Sequence, residues 1–222
     1  MFKINKLDFL ISIYIFCIIV SELMGSKTFS LIGNFNASVA IFLMPFIFTI
    51  NDVITEAYGK ERTKSIIKSG LIMIIFLIAF SFLAINLPSS QRFASNQSAY
   101  QNIFGASIRI SIASLLAFFV AEYMDVFIFV KIRNMMGKKS LWLRNNVSNF
   151  VAQFFDTSIF YLFAFYSLDK SFSSNIIFLV GLIIPYWALK CLVSVLETPL
   201  VYAGVKWLKK SNQTIEKVTI AA

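Results

Sequence analysis

Nine ionisable side chains, Glu22, Asp52, Glu56, Arg109, Glu122, Asp125, Asp156, Lys190 and Glu197, stand inside stretches that are otherwise apolar. An Asp, Lys or Arg at the centre of a bilayer-spanning helix costs roughly 2.5–3.5 kcal/mol, so such groups must face one another, water or a polar ligand. That makes them candidates for a solute site. Asp52 and Glu56 are i,i+4, Glu122 and Asp125 are i,i+3, and Lys190 and Glu197 lie two turns apart, so each pair shares a helical face. Asp156 and Lys190 fall near the middle of their blocks, and an ion pair between them is expected. Arg109 is sixteen residues from Asp125, about 24 Å of straight helix, too far for the two to pair. Trp187 and Tyr186 follow Pro185 one turn before Lys190 and offer a stacking surface beside a charge. The plainer reading, ion pairs that only lock a bundle, applies best to Glu22 and Glu56, which reach interfacial water at the ends of their blocks.

Other chemistry is poorly supplied. The chain has no His, and its two cysteines, Cys17 and Cys191, sit in apolar blocks with no C-x-x-C pair. Most haem, zinc and di-iron sites and the Ser-His and Cys-His nucleophile pairs therefore have no residues to build on, and no cofactor or metal is expected. Carboxylates for an intramembrane aspartyl-type enzyme are numerous enough, but the G-x-G-D context is absent and Lys190 would neutralise one of them.

The elements that must position these charges are membrane helices. Of 222 residues, 58% are hydrophobic and 14% charged, with a mean hydropathy of +0.77, far from the ~25% charged residues of a soluble domain. The apolar residues arrive in six blocks, at about 8–24, 38–58, 65–87, 106–130, 147–165 and 176–207, each near the roughly 20 residues a span requires. The segments 25–36, 59–64, 88–101, 131–144 and 167–174 read as loops. The fold class expected is all-α integral membrane, a single domain of six spans.

With a cytoplasmic N-terminus, fifteen of the twenty Lys and Arg fall on the cytoplasmic side and three (Lys27, Arg92, Lys170) on the other, leaving Arg109 and Lys190 within spans. This is the positive-inside pattern. It places both termini in the cytoplasm and explains the net charge of +9 without nucleic acid. The first block resembles a signal peptide in its basic start, but Asp8 precedes its apolar stretch and no A-x-A-like site follows, so its retention is expected. The last block is long, and Pro185 and Pro199 are expected to kink it. Trp142 and Trp207 fall where interfacial aromatic belts form.

Four ordered segments carry a resemblance. Asn51-Asp52-Val53-Ile54-Thr55-Glu56-Ala57-Tyr58-Gly59 resembles the (T/N)-D-x-x-x-E-x-(Y/F)-G signature of the queuosine precursor transporter family. Arg109, Ser114–Phe118 and Asp125-Val126-Phe127 are similar to a second motif of that family. Trp142-Leu143-Arg144 with Ser148 and Asp156-Thr157 resemble a third, and Lys190 with Glu197-Thr198-Pro199 and Tyr202 a fourth. The resemblance implies six spans in a vitamin-uptake-like fold. It also implies import of 7-deazapurines (7-cyano- or 7-aminomethyl-7-deazaguanine, or queuine) across the bacterial inner membrane for tRNA modification. By position it carries over Asp52, Arg109, Asp125, Asp156 and Lys190 as substrate-site or transport-critical residues. Trp187 joins them as a stacking candidate, and Glu22, Glu56, Glu122, Glu197 and Tyr202 form an outer group. Glu22 and Glu122 stand where the family pattern usually or often has an amide; an extra acid there suits a cationic substrate or a protonatable coupling residue.

The residues suit such a solute. A guanine edge offers N1–H and N2–H₂ donors to a carboxylate, its O6 accepts from Lys or Arg, and its flat bicycle stacks on aromatic rings. The expected partners are thus the 7-deazapurine and the lipid bilayer, with no direct nucleic-acid contact, and the site is expected between spans two, four, five and six. No oligomeric state is specified by the sequence. The rival within transport is a substrate-binding subunit docked on an ATP-driven partner, since the chain has no Walker motif. From other classes, the rivals are the carboxylate enzyme and an assembly subunit without a ligand.

Overall fold

The computed structural model describes residues 5–30, 36–136, 141–196 and 199–208. Helix α1 (Lys6–Met24) starts at Asn5, whose side chain accepts from the Leu7 N–H at 2.9 Å, satisfying one of the donors a helix start leaves open. After α1 the chain does not run on as a plain loop. Strands β1 (Thr28–Ser30) and β2 (Asn36–Ser38) pair antiparallel, with Thr28 opposite Ser38. Ser38 fastens this hairpin: its hydroxyl donates to the Gly25 carbonyl at 2.6 Å and accepts from the Ala40 N–H at 3.2 Å. Apart from this short hairpin the described residues form the all-α architecture expected. Three-residue strands are too short to show an alternating pattern in sequence.

A 3-10 turn (Val39–Phe42) leads into α2 (Met44–Tyr58), which is joined to α3 (Lys60–Asn86) by Gly59 alone. Gly59 has φ +86°, a conformation glycine adopts at no steric cost. The Thr55 and Thr63 hydroxyls meet at 2.8 Å across this turn. The charged separator 59–64 is therefore almost wholly helical, because Lys, Glu and Arg are good helix formers. Helix α4 (Gln97–Met136) has 40 residues, about 60 Å or twice the hydrocarbon thickness. Its first residues come from the Ser/Gln/Asn stretch and its last from the basic separator, both expected as loops; no proline interrupts either. Helix α5 (Leu141–Phe165) and α6 (Phe172–Leu196, with Pro185 inside) follow, and α7 occupies 199–208.

Five described stretches, Lys6–Met24, Val39–Tyr58, Glu61–Asn86, Ala94–Ala121 and Phe172–Leu192, are long and apolar enough to cross a membrane; Phe150–Phe165 is apolar and shorter. Large apolar side chains such as Phe16, Phe76, Phe80, Phe119 and Phe163 are exposed, whereas Ser21, Glu22, Ser107, Ser111, Thr157 and Lys190 are buried. This is the sorting expected in lipid, where apolar residues gain nothing by facing inward and small or polar residues line helix contacts.

Specific contacts hold the helices in place. The Ser107 hydroxyl of α4 donates to the Leu23 carbonyl of α1 at 2.9 Å. Buried Asn175 knits the α5–α6 turn, accepting from Ser167 N–H at 3.0 Å and donating to the Ser167 carbonyl at 2.8 Å. Helix α7 lies on α2 with Val205 and Leu208 against Val53. A Cβ on Gly204 would come within 2.6 Å of a Val53 methyl, so only glycine permits this approach. Lys6 donates to the Trp207 carbonyl at 2.7 Å and sits over its indole, which brings the start of α1 and the end of α7 to the same face.

Candidate functional site

Asp156 of α5 and Lys190 of α6 project toward each other, with Nζ 2.6 Å from Oδ2. Lys190 is buried and Asp156 is partly so. The ammonium also lies 5.4 Å from the centre of the Tyr186 ring, within cation–π range. The pair borders a cavity of about 70 Å³, room for a few waters at the roughly 10–15 Å³ that one requires. Its aromatic walls are Phe160 and Tyr186; Met44, Ala40, Ile110 and Ala117 add small or apolar surface. Tyr161 stands edge-on behind Tyr186 at 5.3 Å, so the ring bordering the cavity is braced.

Polar groups without partners gather here. Glu22 and Thr157 line the cavity, and Glu22 Oε2 and Thr157 Oγ1 are buried with no hydrogen-bond partner. The hydroxyls of Ser111, beside Glu22, and Tyr161, behind Tyr186, are likewise unpartnered. Buried polar atoms are nearly always satisfied. Two unsatisfied atoms on the cavity wall and two just behind it, beside an ion pair, leave hydrogen-bonding capacity that a polar guest could use. Asn51 on α2 carries another such atom, in its Oδ1.

The remaining sequence candidates are placed elsewhere. Asp52 and Glu56 lie on the exposed face of α2, whose buried face carries Ile47, Ile50, Val53 and Ile54. The Nε of Arg109 donates to the Phe163 carbonyl at 2.8 Å and its terminal amine to the Tyr166 carbonyl. A guanidinium thus caps the C-terminal end of α5, where open carbonyls and the helix dipole favour a cation. Trp187 turns away from the cavity, donating from Nε1 to the Phe150 carbonyl at 3.2 Å and packing edge-on against Phe154. Tyr202 on α7 is exposed. The side chains of Glu122, Asp125 and Glu197 lie outside the described residues.

Helix α1, through Ser21 and Glu22, joins the expected enclosure by α2, α4, α5 and α6. Sequence reasoning missed Ser111, Phe160 and Tyr161, and met Ser114 and Thr157 only as members of the family-like motifs, without a site role. The signal for Ser111 was hydroxyl residues at helical spacing (Ser107, Ser111, Ser114) in an apolar block. A second, wider cavity of about 510 Å³, lined by Ser26, Gln101, Asn102 and Arg109 among others, shares Ile110 with the first. Ile110 is therefore the side chain common to the buried cavity and this more open, polar one.

Comparison with known proteins points to a family of transporters. Residues 38–204 match the family model described as "Putative vitamin uptake transporter". A Bacillus subtilis (strain 168) protein named "Probable queuosine precursor transporter" is 29% identical over 200 residues, covering 90% of this chain and 84% of that protein. A Haemophilus influenzae protein of the same name is 27% identical over 146 residues, 64% of this chain and 57% of that one. The Escherichia coli (strain K12) "Queuosine precursor transporter" is 28% identical over 149 residues, 66% of this chain and 62% of its own length. No solved structure matches the chain. With three quarters of its length inside the matched region, and its motifs resembling those of the queuosine precursor transporters, the chain belongs to the vitamin-uptake transporter family that this model describes.

Proposed function

We propose that this protein is a bacterial inner-membrane carrier that imports a queuosine precursor, a 7-deazaguanine base, through the cavity between α1, α4, α5 and α6. The observation that carries the reading is the Lys190–Asp156 ion pair at 2.6 Å beside the Tyr186 ring. Asp156 accepts from the N1–H and N2–H₂ of the base, Lys190 donates to O6, and Tyr186 and Phe160 stack on the bicycle. Each charge satisfies the other before the base arrives, so neither is left buried and alone, which would be strongly destabilising. The names of the three relatives support the substrate class.

The cavity is narrower than a flat bicycle, so the helices must part to admit one. Ile110, common to the buried and the wider cavity, is placed to gate that passage. In this reading all 222 residues form one unit of six spans, α5 completing the set, with both termini cytoplasmic. The contact of Lys6 with Trp207 at a single face supports that topology, as does the fifteen-to-three charge split. Asp52 and Arg109 act outside the base-contacting set, Arg109 through the end of α5.

Cells that neither make nor import queuosine precursors test the proposal. Expressed there with a 7-deazaguanine in the medium, the chain should restore queuosine to tRNA. Asp156→Asn and Lys190→Ala should not, although both insert in the membrane. Properly inserted wild-type protein that restores nothing with any of the bases would refute the function.

A further inference from the structure

We propose that the cavity selects a base carrying a protonated primary amine, and that Glu22 of α1 is the residue that makes the selection. The inference rests on the carrier function proposed above and narrows its substrate. Asp156 and Lys190 cancel each other's charge in a 2.6 Å contact. Glu22 is a second carboxyl on the same cavity, 5% exposed, with Oε2 unpartnered. Its neighbours on α4 are the hydroxyls of Ser111 and Ser114, and among the described residues no cation lies within 4.0 Å of it. The cavity therefore holds one more acid than base, in surroundings where an unpaired carboxylate is poorly solvated.

A guest bringing one positive charge neutralises that excess. A primary alkylamine, like the lysine side chain, is protonated at neutral pH. Glu22, Asp156 and Tyr186 all line the same cavity, so a bicycle stacked on that ring has both carboxyls among its neighbours. The guanine edge then meets Asp156 and Lys190 while an aminomethyl arm donates to Glu22 and the serine hydroxyls beside it. A cyano arm fits badly: its nitrogen is only an acceptor and turns the negative end of its dipole toward the carboxylate. Glu22 thus discriminates twice, rewarding the ammonium and repelling the nitrile.

Uptake of labelled 7-aminomethyl- and 7-cyano-7-deazaguanine, each measured in cells with and without the full-length chain, tests this. The wild type should favour the amine by about tenfold or more, the range of a hydrogen bond to a charged group. Glu22→Gln should bring the two bases to near parity, chiefly by losing the amine, and Glu22→Asp should keep the preference. Competition gives a reading even if Glu22→Gln fails to insert: excess cyano base should leave wild-type amine uptake almost unchanged. Equal uptake of both bases, a preference for the cyano base, or an equal loss of both in Glu22→Gln overturns the selection while leaving the carrier intact. Uptake of neither base overturns the carrier function itself.

Discussion

Lys190 Nζ and Asp156 Oδ2 meet at 2.6 Å between α6 and α5, and each is the only ion-pair partner of the other among the described residues. The two helices are thereby tied at the level of the cavity, so in the proposed carrier the pair has a structural and a ligand-binding duty at once. The duties separate by mutation. Asp156→Asn or Lys190→Met alone strands a charge and should cost about 3–5 kcal/mol. The double variant should recover most of that stability, since a neutral pair has little desolvation to repay, yet it should transport nothing. Thermal unfolding in detergent, read beside base uptake, checks both halves. A double variant that still transports would show that the pair only holds the bundle together.

Tyr186 is buried, braced by Tyr161, and borders the same cavity. Base–aromatic stacking contributes about 1–3 kcal/mol, so Tyr186→Leu should raise the half-saturating concentration of the base by about tenfold. Tyr186→Phe, which keeps the face, should stay near wild type. The two uptake curves decide whether the ring face or the hydroxyl matters.

Gly204 lets α7 approach Val53 more closely than any side chain would permit. Gly204→Val should therefore lower stability by about 1–3 kcal/mol through overpacking, and pairing it with Val53→Ala should return part of the loss. Melting temperatures of the single and double variants measure the coupling. Their simple additivity would mean that the two residues do not touch.

Arg109 holds two carbonyls at the end of α5. Arg109→Ala should destabilise the protein by about 1–3 kcal/mol, and Arg109→Lys by less, because an ammonium keeps the favourable charge but not the fork. Base affinity measured on the folded fraction should barely move. A large rise in the half-saturating concentration instead would place the guanidinium in the substrate's path.

Membrane residence and the number of apolar blocks were legible in the sequence alone. Insertion into a bilayer sums the transfer free energies of neighbouring residues, and that sum needs no tertiary contacts. The direction of each side chain did not follow in the same way. Most of these helices are apolar almost all round, so their pattern has no phase from which to read an inner face, and α2, the amphipathic exception, turns its polar face outward. By sequence Asp52 therefore ranks above Glu22, and Glu22 is expected to reach interfacial water, yet α2 presents Asp52 and Glu56 to the exterior while α1 buries Glu22 against α4.

The ends of elements were hidden for a related reason. Polar and basic separators look like loops by composition, but from Gln97 through Met136 no proline intervenes and they extend α4 to 40 residues. The three-residue β1–β2 pair, fastened by Ser38 on the Gly25 carbonyl, is too short to show in the sequence. Only the packed structure shows a cavity where two acids, one lysine and an aromatic face converge, because convergence depends on the rotation of each helix about its own axis.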